Sequence, residues 1–222
     1  MKPIPLQQYI DHTLLGATAT LSAIENLCQE ARTHGFYAVC VNGCHVGTAH
    51  KELADTAIKI AAVVGFPLGA NGTRTKVFEA VDCMENGADE IDMVINLGWL
   101  KSGETDQVLQ EIQAVKKAIG DVVLKVIIET AYLTTEEKKK ACALVVEAGA
   151  DFVKTSTGFG PGGATLDDVR LMKEVVGDKA RIKASGGIKD RATALRYIEL
   201  GVSRIGTSSG IALLAQDENQ SP

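Results

Sequence analysis

The sequence predicts an α/β fold, a closed (β/α)8 TIM barrel built as a single domain. Three observations lead there. Short β-rich runs alternate with helical patterns along the chain, eight such runs can be counted, and alternate runs are entered from a glycine at one constant offset. A length of 222 residues suits one barrel better than two domains. With 45% hydrophobic and 23% charged residues, a sizeable core is expected and disorder is not. The expected domain spans 1–222, with a frayed polar tail at about 216–222.

In chain order the strand-like runs are 9–13, 36–41, 59–65, 90–96, 122–129, 152–156, 181–185 and 204–207. Helical segments separate them. Thr73 is expected to cap one that carries Val77, Val81 and Met84 on a common face and stops at Gly87. Thr134 and Glu137 form a capping box for another, which ends at Gly149. Asp190 caps the segment that runs to Gly201.

Four of these helix ends share one arrangement. Gly35, Gly87, Gly149 and Gly201 each stand five residues before Cys40, Asp92, Lys154 and Gly206, on the second, fourth, sixth and eighth runs. Alternate strands of such a barrel feed one interior layer, so Asp92 and Lys154 are expected to point inward at similar height. Lys125, Lys154 and Lys183 recur every 29 residues, about one strand–helix–strand step. An open doubly wound sheet would share the alternation. It is disfavoured because eight units nearly fill the chain and no dinucleotide fingerprint follows the first run.

Composition excludes several classes. No apolar stretch reaches membrane-spanning length, and the start of the sequence, MKPIPLQQYIDHT, lacks a signal-peptide apolar region, so a cytoplasmic location and no membrane partner are expected. A net charge of −5 argues against nucleic acid as a partner. Cys28, Cys40, Cys44, Cys83 and Cys142 are odd in number and scattered, which is no disulfide framework. Cys40, Cys44, His45 and His50 lack the paired spacing of structural zinc sites, and no metal site is expected.

The lysines carry the chemistry. Lys125, Lys154 and Lys183 each sit inside an apolar strand-like run, where an ammonium group is costly unless paired or discharged. A single strand lysine would be read as pointing outward, its head in water. Three on consecutive strands, with Asp92 two strands before Lys154, point to a charged interior. A free lysine titrates near ~10.4, and a neighbouring ammonium with partial desolvation can bring such a group to roughly 7–8. The resulting amine attacks a carbonyl carbon, and the iminium so formed is an electron sink. Asp92 can serve as base or proton relay. Lys154 ends its strand at the C-terminal mouth, where barrel sites lie, and Lys183 likewise precedes ASGGIKD, whereas Lys125 lies deeper. Position alone does not choose between the first two.

A second feature lies after the last two strands. SGGIKD from Ser185 and GTSSG from Gly206 occupy the loops where barrels bind phosphate. Gly186, Gly187 and Gly206 allow close backbone approach, and Ser208 and Ser209 add hydroxyl donors.

Seven motifs in order, YIDHTLL, VGFPLGANGTRTKVFEA, EIDMVINLG, LKVIIET, FVKTSTGFGPGGAT, IKASGGIKD and IGTSSG, make the chain resemble the deoxyribose-phosphate aldolase family over nearly its whole length. The resemblance implies a class I aldolase that cleaves 2-deoxy-D-ribose 5-phosphate to D-glyceraldehyde 3-phosphate and acetaldehyde, using no metal or organic cofactor. It implies that Lys154 is the Schiff-base lysine, that Asp92 relays protons, and that Lys183, positioned by Asp11, perturbs the amine. Gly158, Gly186, Gly187, Gly206, Ser208 and Ser209 would surround the phosphate. A homodimer is also implied. Three departures stand out: Gly16 where many members carry lysine, Phe159 where some place a lysine near the phosphate, and no tyrosine at the end of the sequence. The competing readings are a sugar-phosphate isomerase or epimerase, which needs no amine nucleophile, and a phosphosugar sensor.

Overall fold

A computed structural model describes residues 4–215; the frayed tail expected at about 216–222 lies outside the described residues. A one-turn 3-10 helix, Leu6–Tyr9, leads into β1 (Ile10–Leu14) and α1 (Leu21–His34). There follow β2 (Ala38–Asn42), α2 (Val46–Leu53), β3 (Lys59–Val64), α3 (Thr73–Glu85) and β4 (Glu90–Val94). The excursion after β4 holds two helices, α4 (Leu97–Lys101) and α5 (Thr105–Ile119). The remaining units are β5 (Val123–Ile127), α6 (Thr135–Glu147), β6 (Phe152–Lys154), α7 (Leu166–Val176), β7 (Arg181–Ser185), α8 (Arg191–Glu199), β8 (Arg204–Thr207) and α9 (Gly210–Leu214).

The eight strands pair in parallel in sequence order, and β8 returns to β1 through Asp11 opposite Gly206, closing the barrel. All eight expected runs are strands; 181–185 and 204–207 match at both ends and the other six have shifted ends. Run 36–41 begins as a strand only at Ala38, because Phe36 N–H donates to Ala31 O in the terminus of α1, around Gly35 at φ 64°. That left-handed turn is cheap only for glycine. The sixth strand ends at Lys154, and its continuation turns so that Thr157 N–H reaches the Glu129 carboxylate.

Side-chain alternation sorts the core into two shells. Ile10, Val39, Ile91, Leu124, Val126, Val153, Ile182 and Ile205 face outward and pack beneath the helices. Inside the barrel the apolar cluster is small: Leu15, Cys40, Ala61 and Val63. Charged and polar side chains, together with Ala38 and Phe152, occupy much of the remaining interior.

Capping followed the sequence at two helices and departed from it at a third. Thr134 and Glu137 form the reciprocal capping box of α6, and Asp190 accepts from Thr193 N–H at the start of α8. Thr73 does not cap α3. Gly72 occupies that position without a side-chain bond, and Thr73 is the first helical residue. The buried stripe of α3 is also rotated from the expected one. Lys76, Ala80 and Cys83 are its deepest residues, while Val77 and Met84 flank them. The reason is an ion pair. Lys76 Nζ lies 2.8 Å from Glu111 Oε1 on α5 and donates to Val94 O at 2.8 Å, with both charged side chains fully buried. Satisfying these polar ends determines the helix rotation, and an apolar-periodicity reading discards a lysine from the core face.

Candidate active site

Glycine-led entry explains how the interior is layered. Two residues before each member of the predicted set Cys40, Asp92, Lys154 and Gly206 stand Ala38, Glu90, Phe152 and Arg204, on the same face of the same strands. These form the floor of the barrel. Between the two layers lie the odd-strand residues Asp11 on β1, Lys125 on β5 and Lys183 on β7. Asp11, Asp92, Lys125 and Lys183 have no exposed surface, and Glu90, Arg204 and Lys154 retain at most 4%.

Buried charges of this kind persist only when each has partners. Asp92 receives Lys125 Nζ at 2.7 Å on Oδ1, and both Lys154 Nζ and Lys183 Nζ at 2.8 Å on Oδ2. Lys183 also donates to Asp11 Oδ2, and Lys125 lies 2.6 Å from Glu90 Oε2. Arg204 closes the network from below. It donates to Asp11 Oδ1 at 2.9 Å and to Glu90 at 2.5 Å, with its guanidinium 3.5 Å from the centroid of the Tyr37 ring. The expectation that Asp92 and Lys154 face inward at similar height holds.

The protonation states follow from these contacts. Burial alone would raise the Asp92 carboxyl, but Lys125, Lys154 and Lys183 hold it well below the ordinary carboxylate range. Asp11 is likewise lowered: burial opposes ionisation and Lys183 and Arg204 outweigh it. Burial acts to discharge Lys125 and Lys183, yet their paired carboxylates raise both above the usual lysine value. Cys40, inside the barrel, is pushed up by burial and stays a thiol.

Above the network opens a cavity of about 360 Å³. Lys154 lines it; Asp92, Lys125 and Lys183 do not. All six residues proposed from the glycine-rich loops, Gly158, Gly186, Gly187, Gly206, Ser208 and Ser209, line the same cavity. Their glycines serve different ends. Gly158, Gly186 and Gly187 adopt φ of 83°, 86° and 78°, which a side chain would strain. Gly206 has no such backbone; a Cβ there would lie 3.0 Å from Ser185 Cβ and 3.1 Å from Lys183 Cε, so it makes room for the lysine stem.

Four contributors escaped the sequence reading. Glu90 and Arg204 were legible through period-two alternation from Asp92 and Gly206. Lys189 lines the cavity as a further cation beside Gly187. Glu129 is buried at φ 50° and accepts from Thr157 N–H and Oγ1, holding the loop after Lys154. No local signal announces that role. Phe159, noted as a departure, stands at the cavity rim with its ring edge-on to Phe66 at 5.3 Å. No described helix is long and apolar enough to cross a membrane.

A closed parallel barrel whose buried lysine meets a cavity at the strand ends is the architecture of an enzyme, and comparison with known proteins gives its class. A family profile described as DeoC/LacD family aldolase matches residues 6–215. Deoxyribose-phosphate aldolase of Thermoanaerobacter sp. (strain X514) is 55% identical over 214 residues, covering 95% of this chain and 96% of that protein. The enzyme of the same name from Carboxydothermus hydrogenoformans is 58% identical over 213 residues, covering 94% and 93%. Among solved structures, an aldolase called QR15 superposes with a TM-score of 0.91 at 45% identity, covering 95% of each chain. The tetrameric structure of deoxyribose phosphate aldolase from Aeropyrum pernix gives 0.88 at 31%, covering 94% and 89%. The chain belongs to the DeoC/LacD family of aldolases and is a carbon–carbon lyase.

Proposed function

We propose that this enzyme reversibly cleaves 2-deoxy-D-ribose 5-phosphate into D-glyceraldehyde 3-phosphate and acetaldehyde through a Schiff base on Lys154. The observation that carries the reading is the division among the three interior lysines: Lys154 alone lines the cavity that also holds the glycine-rich loops. A substrate whose phosphate sits among Gly158, Gly186, Gly187, Gly206, Ser208 and Ser209, with Lys189 as an added cation, can then offer its aldehyde to that amine.

The neutral Lys154 amine attacks C1 of the open-chain sugar, and loss of water leaves an iminium. Removal of the C3 hydroxyl proton, through water to Asp92, lets the C2–C3 electron pair move into the iminium nitrogen. C3 becomes the aldehyde of glyceraldehyde 3-phosphate, and the two-carbon enamine stays on Lys154. Protonation at C2 and hydrolysis release acetaldehyde and restore the amine. Lys183, held by Asp11 and sharing Asp92 Oδ2 with Lys154, supplies a fixed positive charge and a proton donor to the relay. Lys125 keeps the other Asp92 oxygen oriented. No metal or organic cofactor has a step to perform, because the iminium is the electron sink. Residues 1–222 would act as one catalytic domain in the cytoplasm, as a homodimer and without nucleic-acid or membrane partners.

The test is reductive trapping. Acetaldehyde and borohydride should leave one adduct, on the peptide containing Lys154, by mass spectrometry. An unmodified protein would favour an isomerase or a sensor, and an adduct confined to Lys183 would reverse the roles of the two lysines.

A further inference from the structure

The charged interior has a connectivity that the reaction itself does not use. Arg204, Asp11, Lys183, Asp92, Lys125 and Glu90 form a closed ring in that order, returning from Glu90 to Arg204. Cations and carboxylates alternate around it, so the ring is neutral, and every member touches two opposite charges. Lys154 is the seventh charge and stands outside the ring. Among the described residues its one ionic partner is Asp92 Oδ2, an oxygen that already receives Lys183.

We propose that Arg204 and Glu90 are positioning residues for the Lys154 chemistry, closing a neutral ring beneath it so that Lys154 is the surplus cation whose discharge balances the barrel interior. The proposal rests on the Schiff-base reading of Lys154. Discharging Lys125 or Lys183 would break two ion contacts and strip two carboxylates of a cation each. Discharging Lys154 breaks one contact and removes a like charge from beside Lys183. Arg204 is suited to the floor because a guanidinium is not deprotonated in proteins and its fork holds Glu90 and Asp11 together. The proton deficit therefore cannot settle there.

The charged and titratable groups around Lys154 come from every neighbouring strand. They are Asp92 on β4, Lys125 on β5, Lys183 on β7, Asp11 on β1 and the Cys40 thiol on β2. Glu129, beyond the end of β5, is engaged with Thr157.

The readout is the pH dependence of acetaldehyde trapping by cyanoborohydride, followed as adduct mass. Arg204→Met leaves three cations for three carboxylates, so Lys154 is no longer surplus. Its trapping midpoint should move alkaline by about one pH unit. Arg204→Lys keeps the charge and should hold the midpoint near that of the unaltered enzyme. The double variant Arg204→Met with Glu90→Gln removes one charge of each sign and should bring the midpoint back. Glu90→Gln alone, which preserves shape, should move it acidic. A merely structural role predicts a double variant no better than Arg204→Met and midpoints that do not follow charge; either result overturns the proposal. Absence of a Lys154 adduct in the unaltered enzyme would instead sink the Schiff-base reading, so the two failures are distinguishable.

Discussion

Lys154 and Lys183, on adjacent strands, place their ammonium nitrogens at the same 2.8 Å from one oxygen of Asp92. Two like charges on one carboxylate oxygen is a configuration that the loss of one proton relieves. Only Lys154 has the cavity in front of it.

Lys154→Leu should therefore abolish turnover, to below about a thousandth of the original rate, while binding of inorganic phosphate survives. Steady-state kinetics and phosphate titration by calorimetry check the two halves. Substantial residual cleavage would contradict the assignment.

The loops proposed to hold the phosphate can be disturbed without touching the amine. A Cβ on Gly163 would fall 2.2 Å from Gly186 O, so Gly163→Ala must push the loop after β7 away from its partner. We expect KM for the phosphosugar to rise roughly tenfold to a hundredfold, with acetaldehyde trapping at Lys154 little changed. Equal losses in both assays would place Gly163 in general folding instead.

Removing one partner of the buried Lys76–Glu111 pair strands the other. Lys76→Met should cost about 3–5 kcal/mol in urea unfolding, and adding Glu111→Leu should recover most of it. Burial already pushes Lys76 down and Glu111 up, each toward its neutral form. If the double variant is as unstable as the single one, packing rather than charge governs the site.

Acid sensitivity follows from Asp92 and Asp11. Both are depressed in the folded state, so the unfolded chain binds the protons first as pH falls. Their stabilisation is complete well above the unfolded carboxylate value of about 3.9, and is lost below it toward the lower folded values. Unfolding free energy should drop steeply below about pH 4. Asp11→Asn should flatten that slope, and an unchanged slope would show that other carboxylates dominate acid unfolding.

Strand and helix order, the closed barrel and the inward direction of Asp92 and Lys154 were all determined by local pattern. Runs of β-formers separated by capped helices leave few topologies, and the glycine offset repeats because each helix must stop before its strand at the same height. The choice between Lys154 and Lys183 was not local. Both lie on a strand that leads into a glycine-rich turn, and only the placement of loops over the barrel decides which amine meets the cavity. The same holds for the closure of the ring through Glu90 and Arg204, residues separated by more than half the chain, and for Lys76, whose burial depends on Glu111 being delivered by another helix. Periodicity reports which face of an element is apolar. Whether a charge can lie on a buried face depends on partners that only the packed barrel brings within reach, since an ion's burial is tolerated or forbidden by what stands a few ångströms away.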